Sequence, residues 1–158
     1  MSATENQIRE NYSKEKLSGA LFLPYYIEGN TLFIFLQKRT ADAPQFPNFF
    51  GLWGGRIEEG ETPEQALTRE VKEELGIEIT IEDVCLLNRY EFLRRIKYAY
   101  VYELREPCMS WESRIVIGEG EYGIWFSAHT ACSVHNITLE DKVVLCDLEH
   151  MLQDRLMR

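Results

Sequence analysis

The sequence predicts a single domain of mixed α and β structure, an α/β or α+β fold with one mixed central sheet flanked by helices. Its length of 158 residues suits one domain, and an apolar fraction of 45% is enough to build a core. Segments with the two-residue alternation of strands are interspersed with segments that carry the four-residue apolar repeat of helices. This order, with a mainly β middle, indicates a layered fold in which helices cover a sheet.

The first predicted elements are an arm and a β-hairpin. Residues 1–17 are mostly polar and are predicted to form an N-terminal arm, which leaves residues 18–158 as the domain. Two β-prone segments, 18–27 and 32–36, flank a Gly-Asn turn, so we expect a hairpin there. Prolines in residues 40–51 predict a loop after the hairpin.

The clearest helix signal lies in residues 62–76. Thr62 is the expected N-cap, Pro63 suits the first helical position, and Gln65 completes a capping box with Thr62. Gly76 supplies the C-terminal stop. The apolar residues recur every fourth position and form the stripe that we expect to be buried: Leu67, Val71 and Leu75.

The remaining elements follow from the same two periodicities. Apolar and aromatic segments predict strands over residues 77–87, 89–93, 96–104 and 124–127. A closing helix is predicted over residues 138–157, with Thr138 and Asp141 at its cap and an apolar repeat at Val144, Leu148 and Leu152.

Charge and cysteine content narrow the function classes. The chain has 17 Lys and Arg against 26 Asp and Glu, a net charge of −9, which argues against a general binder of nucleic acid or anionic membrane. A phosphate-bearing small substrate is compatible with this charge if a metal cation mediates. The four cysteines are widely spaced, which argues against a disulfide framework or zinc site. Without an apolar signal core or a run of membrane-spanning length, we expect a cytoplasmic protein.

Three glutamates on the first predicted helix stand out. Glu70, Glu73 and Glu74 are spaced i, i+3, i+4, so their carboxylates share one face. Each like-charge pair costs roughly 0.2–0.5 kcal/mol, and carboxylates near a helix C-terminus also oppose its dipole. A bound divalent cation with a preference for oxygen ligands, such as magnesium or manganese, would compensate for this cost. A solvated acidic face is the alternative.

The surrounding residues favour the metal site. Residues 55–77 read GRIEEGETPEQALTREVKEELGI, which matches the pattern G-x5-E-x7-R-E-U-x-E-E-x-G-U, where U is a bulky aliphatic residue. This is the Nudix box, and the chain resembles the Nudix hydrolase family, in particular its MutT-like members. The resemblance implies the α/β/α sandwich of that family over residues 18–156. Every fixed position is satisfied, by Gly55, Glu61, Arg69, Glu70, Val71, Glu73, Glu74, Gly76 and Ile77.

The resemblance assigns roles to individual residues. It implies a Mg²⁺ site, with Mn²⁺ as an alternative, whose ligands are Glu70, Glu73, Glu74, Glu119 and the carbonyl of Gly54. It places catalysis on Glu70, Glu73 and Glu119. Arg69 would pair with Glu73 or Glu61 and orient the carboxylates, Glu61 would brace the loop, and Gly55 and Gly76 would serve the backbone geometry.

A second stretch and its neighbours extend the resemblance. Residues 119–125 read EGEYGIW, like the loop before the last strand of MutT-type members, so Glu119 is the first candidate for general base and Glu121 the second. Many relatives have a proline before the paired glycines, which this chain lacks. Arg39 is a candidate contact to a substrate phosphate, and Phe50 and Trp53 are candidates for walling a base or sugar pocket, with core packing as the alternative.

These residues imply hydrolysis of a phosphoanhydride in a nucleoside diphosphate linked to another moiety. The first expectation is a nucleoside triphosphate cleaved to monophosphate and pyrophosphate. Nucleotide sugars and dinucleoside polyphosphates are rival substrates, and a nucleotide-sensing module without catalysis is a rival function. The expected partner is a nucleotide-type small molecule, without nucleic acid or membrane, and the chain is expected to be a monomer or homodimer.

Overall fold

Two long strands, β1 (Leu17–Glu28) and β2 (Thr31–Lys38), form the centre of the sheet. The structure is a computed structural model that describes residues 16–158. The other strands are β3 (Phe50–Gly51), β4 (Trp53–Arg56), β5 (Cys85–Glu91), β6 (Arg95–Glu103) and β7 (Tyr122–Ser127). The helices are α1 (Pro63–Leu75), α2 (Cys108–Glu112), α3 (Ala128–Ala131) and α4 (Leu139–Leu156), with a 3₁₀ turn at Ile81–Asp83.

The sheet is mixed and has seven strands. Its path runs β3-β2-β1-β6-β5, and only the β1–β6 pair on this path is parallel. β1 pairs with β4 over its first half and with β2 over its second half. β7 pairs with β2. The long strands therefore separate where β3 and β4 enter, and this brings the paired glycines of β4 into the centre of the fold.

Alternating side chains of the sheet form a core on each face. Phe22 and Phe35 pack with α1 through Leu67 and Val71, whereas Leu23 and neighbours pack on the other face with α4. Each long helix thus covers one face of the sheet. This arrangement confirms the predicted α/β/α sandwich with a mixed central sheet.

Most predicted elements are confirmed. α1 begins and ends as expected: Thr62 accepts from the Gln65 amide, the capping box with Gln65 is complete, and Gly76 ends the helix at a φ of 68°. The hairpin, the strand that contains residues 124–127 and the closing helix are also present. Leu67, Val71 and Leu75 are fully buried, as are Val144 and Leu148.

The strand predicted over residues 77–87 is wrong in its first eight residues, and its last three form one strand, β5, with the start of the strand predicted over residues 89–93. Residues 77–84 form an extended connection and a 3₁₀ turn, and β5 starts only at Cys85. The Asp83 carboxylate accepts hydrogen bonds from the amide and hydroxyl of Thr80, which closes the turn. Ile77, Ile79 and Val84 are buried beside α1, so their apolar pattern reflects core packing rather than a strand. Of the arm predicted for residues 1–17, residues 1–15 lie outside the described residues, whereas Lys16 pairs with Glu91 of β5 and Leu17 begins β1.

Candidate active site

The paired glycines of β4 hold the end of α1 against the sheet. The Gly54 amide donates a 2.8 Å hydrogen bond to Oε2 of Glu74. Gly54 has a φ of +121°, and a Cβ on it would lie 2.0 Å from the carbonyl oxygen of Ala20. Only glycine fits this close approach. The sequence prediction that Gly54 supplies a carbonyl ligand stays a prediction, since the recorded contact is made by its amide.

The next glycine makes room for a carboxylate. A Cβ on Gly55 would lie 2.5 Å from the Glu70 carboxyl carbon, so the absent side chain leaves the space that Glu70 occupies. Glu70 and Glu74 lie one helical turn apart, and both are buried against β4, with 9% and 4% exposure. The box therefore places two carboxylates in the interior at the junction of a helix and a strand.

Arg69 connects the carboxylates of the box. Its guanidinium donates to Glu61 at 2.7 and 3.0 Å, to Glu70 at 2.8 Å and to Glu73 at 3.3 Å. It also donates to the Arg56 carbonyl at the end of β4. Glu61 in turn accepts from the Glu58 amide and so closes the loop before α1. The orienting role of Arg69 and the bracing role of Glu61 would use these contacts, and both roles stay predictions.

The segment before β7 packs against the C-terminal end of α1. The amides of Val116 and Gly118 donate to the carbonyls of Leu75 and Glu74, which are among the carbonyls that a helix end leaves unpaired. Gly76 faces Val116, and a Cβ on Gly76 would lie only 3.1 Å from the Val116 Cβ. This docking brings the loop 118–121 beside the glutamates of α1.

Glu119 completes a cluster of three carboxylates. One carboxylate oxygen each from Glu70, Glu74 and Glu119 lies within 4.8 Å of the others. Buried Gln37 donates from Nε2 to the Glu119 carbonyl and fixes the loop. The Glu121 amide, by contrast, donates to the Lys38 carbonyl, and its carboxylate lies 4.0 Å from the Lys38 ammonium. The loop thus directs Glu119 towards α1 and Glu121 towards β2.

Glu73 lies beside this cluster rather than within it. Its side chain is 59% exposed and pairs with Arg69 on the solvent side of α1. The three glutamates therefore do not share one environment, although the sequence predicted that they share one helical face. Glu70 and Glu74 are buried, whereas Glu73 is exposed to solvent.

Burial strongly perturbs the inward carboxylates. Loss of hydration raises the pKa of Glu74 to about 8, and the negative charges of Glu119 and Glu70 act in the same direction against the Gly54 hydrogen bond. Burial also raises the pKa of Glu70, although Arg69 opposes this shift. Hydrogen bonds from Arg69 lower the pKa of Glu61 to about 2. A cluster whose charges repel and lack hydration fits a divalent cation that prefers oxygen ligands.

A cavity of about 1010 Å³ includes both paired glycines in its lining. From Gly54 and Gly55 it extends between the hairpin tip of β5–β6 and the start of α4. Its walls include Phe46, Phe49 and Phe50, and cavities of this size hold small-molecule ligands. The three carboxylates do not line this cavity; the two features meet at the paired glycines, which contact Glu74 and Glu70.

Two of the three residues predicted to contact the substrate line this cavity, and the third does not. Arg39 and Phe50 line it, and Arg39 is held by a hydrogen bond from Nε to the Gln45 carbonyl. The structure corrects the expectation for Trp53, which is fully buried and packs on Phe35 in the core beside α1. Its indole Nε1 donates to the Phe35 carbonyl, so neither its ring nor its donor faces a ligand.

A buried charged group in the cavity wall was missed by sequence reasoning. Lys97 of β6 lies 3.3 Å from Oδ1 of Asp141 and 3.1 Å from Oε2 of Glu140, both in the first turn of α4. Asp141 is 8% exposed and also accepts from the Leu52 amide. The available signal was Lys97 itself, the one charged residue within the apolar and aromatic run 96–102.

Comparison with known proteins finds a matching family profile and similar proteins. A profile described as the NUDIX domain matches residues 20–148. The 8-oxo-dGTP diphosphatase of Escherichia coli K12 is 38% identical over 96 residues, which cover 60% of this chain and 69% of that protein. The dihydroneopterin triphosphate diphosphatase of the same strain is 27% identical over 127 residues, covering 73% and 81%.

Solved structures show the same fold. A MutT/nudix family protein from Enterococcus faecalis superimposes with a TM-score of 0.71 at 16% identity, covering 98% of this chain and 70% of that one. The NUDIX domain of Shewanella oneidensis NrtR, solved with ADP ribose, has a TM-score of 0.67 at 15% identity, covering 96% and 99%. Within residues 16–158, every helix is too short or too polar for a bilayer span.

Proposed function

The chain belongs to the NUDIX domain family, and from that premise we propose that it is a magnesium-dependent pyrophosphohydrolase that cleaves a nucleoside triphosphate to the monophosphate and pyrophosphate. The observation that carries this proposal is the cluster of Glu70, Glu74 and Glu119, whose two buried members contact Gly54 and Gly55, glycines that also line a cavity of about 1010 Å³. A cavity of this size can hold a nucleoside, and the proposal requires its phosphates to extend past the paired glycines to the carboxylates.

Similar proteins support the choice of substrate class. The relatives named 8-oxo-dGTP diphosphatase and dihydroneopterin triphosphate diphosphatase act on triphosphates whose ring system is heterocyclic. A CTP pyrophosphohydrolase of Escherichia coli K12 is 36% identical over 74 residues. The shared element of these names is the triphosphate, so we assign the class and not the base.

Glu70, Glu74 and Glu119 would hold the cation, and Glu73 is the proposed fourth carboxylate once Arg69 releases it. When bound, the cation neutralises phosphate charge and makes water a better nucleophile. Arg69 keeps Glu70 oriented through its 2.8 Å hydrogen bond. Glu119 is the proposed general base, since it is the exposed member of the cluster and can accept a proton from water at the substrate side.

The test is product formation over a nucleotide panel with magnesium and with EDTA. We expect pyrophosphate and nucleoside monophosphate from triphosphates, only with the metal. Glu74→Gln should lower kcat by about 100-fold or more, because it removes a buried cluster carboxylate. Glu78→Gln is the matched control, since Glu78 is exposed and pairs only with Lys72 outside the cluster.

Other outcomes identify the rivals. Monophosphates released from nucleotide sugars or dinucleoside polyphosphates, without turnover of triphosphates, would contradict the proposed substrate class. Nucleotide binding without turnover of any compound would contradict the enzyme and favour a sensing module. Turnover that survives EDTA would contradict the metal requirement.

A further inference from the structure

Two cysteines outside the active site lie in contact. Cys132 immediately follows α3, and Cys146 lies in the middle of α4. Their sulfur atoms are 3.3 Å apart, so a bond between them requires an approach of roughly 1 Å. The sequence separation of fourteen positions had argued against pairing, but α3 folds back on α4 and brings the two thiols together.

The pair is accessible from solvent on one side. Cys146 is exposed, whereas Cys132 is half-buried. Burial, with the neighbouring Cys146 and Glu149, raises the pKa of Cys132 to about 12, although Lys142 opposes the shift. Since the thiolate is the reactive form, Cys146 is the thiol that would react first with an external disulfide.

We propose that Cys132 and Cys146 are a redox modification site, at which exchange with a small-molecule disulfide closes a reversible bond between α3 and α4. The Cys146 thiolate attacks one sulfur of the small disulfide, forms a mixed disulfide and releases one small thiolate. Cys132 loses its proton to solvent and attacks the Cys146 sulfur, which releases the second small thiolate. Two cysteine thiols are oxidised, and the small disulfide is reduced to two thiols.

The bond would tie down part of the cavity wall. The segment between the cysteines includes His135, Ile137 and Thr138, which line the cavity beside Phe50 and Gly51. Phe50 is already joined to this segment, because its amide donates to the Asn136 carbonyl. Closing the ring around residues 133–145 therefore restricts a segment that a cavity ligand would contact.

The test uses a variant in which only this pair remains, Cys85→Ser with Cys108→Ser. After incubation with oxidised glutathione, its intact mass should fall by two hydrogen atoms with no glutathione attached, and dithiothreitol should reverse the change. Adding Cys132→Ser should instead leave one stable glutathione adduct, on Cys146. Unreacted thiols or a stable adduct in the two-cysteine variant would overturn the proposal.

Two further measurements test the proposal without relying on the folding of a variant or on enzyme activity. Peptide mapping of oxidised wild-type protein should recover the Cys132–Cys146 cross-link, and a different pairing would overturn the site. Hydrogen exchange in residues 133–138 should slow on oxidation, and unchanged exchange would overturn the restriction of the cavity wall. Neither measurement needs the nucleotide substrate, so they can fail while the proposed function holds.

Discussion

The Gly54 amide donates a 2.8 Å hydrogen bond to Oε2 of Glu74, and this contact joins the first of the paired glycines to the last turn of α1. The neighbouring glycine, Gly55, leaves the space for the Glu70 carboxylate. The two glycines thus act on different parts of the site: one approaches the backbone of β1, and the other faces a side chain.

Alanine at Gly55 should therefore affect the metal site more than the fold. Its Cβ would lie 2.5 Å from the Glu70 carboxyl group, which is the mobile end of a side chain and can move away. We expect magnesium affinity to fall by about 10-fold or more, with a loss of about 1 kcal/mol or less in the free energy of unfolding. Titration calorimetry and urea denaturation measure the two effects.

The comparison variant is Gly54→Ala. Its Cβ would lie 2.0 Å from a backbone oxygen, at a φ that side chains rarely adopt, so it should cost roughly 3 kcal/mol of unfolding free energy. Equal losses of stability for the two variants would contradict the separate roles of the glycines.

Arg69→Ala should destabilise the protein and disorder the carboxylates. It removes the donor shared by Glu61, Glu70 and the Arg56 carbonyl, and a buried acceptor left unpaired costs roughly 1–3 kcal/mol. Arg69→Lys should recover only part of this loss, because an ammonium group cannot reproduce the forked contact to Glu61. Urea denaturation measures both, and Arg89→Ala is the control, since Arg89 is exposed. If Arg69→Ala lost less unfolding free energy than Arg89→Ala, the result would contradict the role of Arg69 in bracing the loop and the carboxylates.

The sequence was most informative where local chemistry alone decides the structure. The cap at Thr62 and the stop at Gly76 are local, so α1 could be predicted to the residue. The Glu70–Glu74 pair also follows from helical spacing. The division of Glu73 from them depends on burial against β4, and Trp53 is turned inward by the packing of the sheet, so neither could be derived from spacing. Lys97 and Asp141 meet across 44 positions, which no local pattern encodes.

Glu119→Gln should lower kcat far more than Glu121→Gln. Glu119 belongs to the carboxylate cluster, whereas the Glu121 carboxylate lies near Lys38 and its amide is bound to the Lys38 carbonyl. Loss of a general base lowers kcat by about 100-fold or more, and we expect less than about a threefold change for the second variant. Steady-state kinetics at saturating magnesium separates the two. A larger loss of kcat in Glu121→Gln than in Glu119→Gln would assign the general base to Glu121.

Lys97→Met should lower the free energy of unfolding, because it breaks a buried ion pair in the wall of the cavity. Lys97 and Asp141 are each 12% exposed at the side chain, and loss of the ammonium leaves the Asp141 carboxylate with the weaker Leu52 contact. Breaking a buried pair by removing one partner costs roughly 3 kcal/mol. Adding Asp141→Asn should recover part of the loss. The control is Lys72→Met, whose pair with Glu78 is exposed and contributes about 0.5 kcal/mol or less. Equal losses in Lys97→Met and Lys72→Met would contradict the energetic importance of the pair.

The metal-free protein should become less stable as pH rises from about 5 to about 8. Burial raises the pKa of Glu74 from an ordinary value near 4.5 to about 8, so the folded protein holds this proton more tightly than the unfolded chain. Between these pH values the folded state binds more protons, and the free energy of unfolding therefore falls with increasing pH. The stability that this proton contributes is fully present below the Glu74 pKa of the unfolded chain, near 4.5. It is lost as the pH rises through the Glu74 pKa of the folded protein, about 8.

In EDTA, chemical denaturation should show that the free energy of unfolding of Glu74→Gln depends less on pH than that of wild type, because the amide does not titrate. Glu78→Gln should keep the wild-type slope over this window, since its carboxylate is exposed and pairs only with Lys72. Parallel curves for wild type and Glu74→Gln would show that the Glu74 carboxylate is already ionised in the folded protein. In that case the cluster would carry its full negative charge before any cation binds.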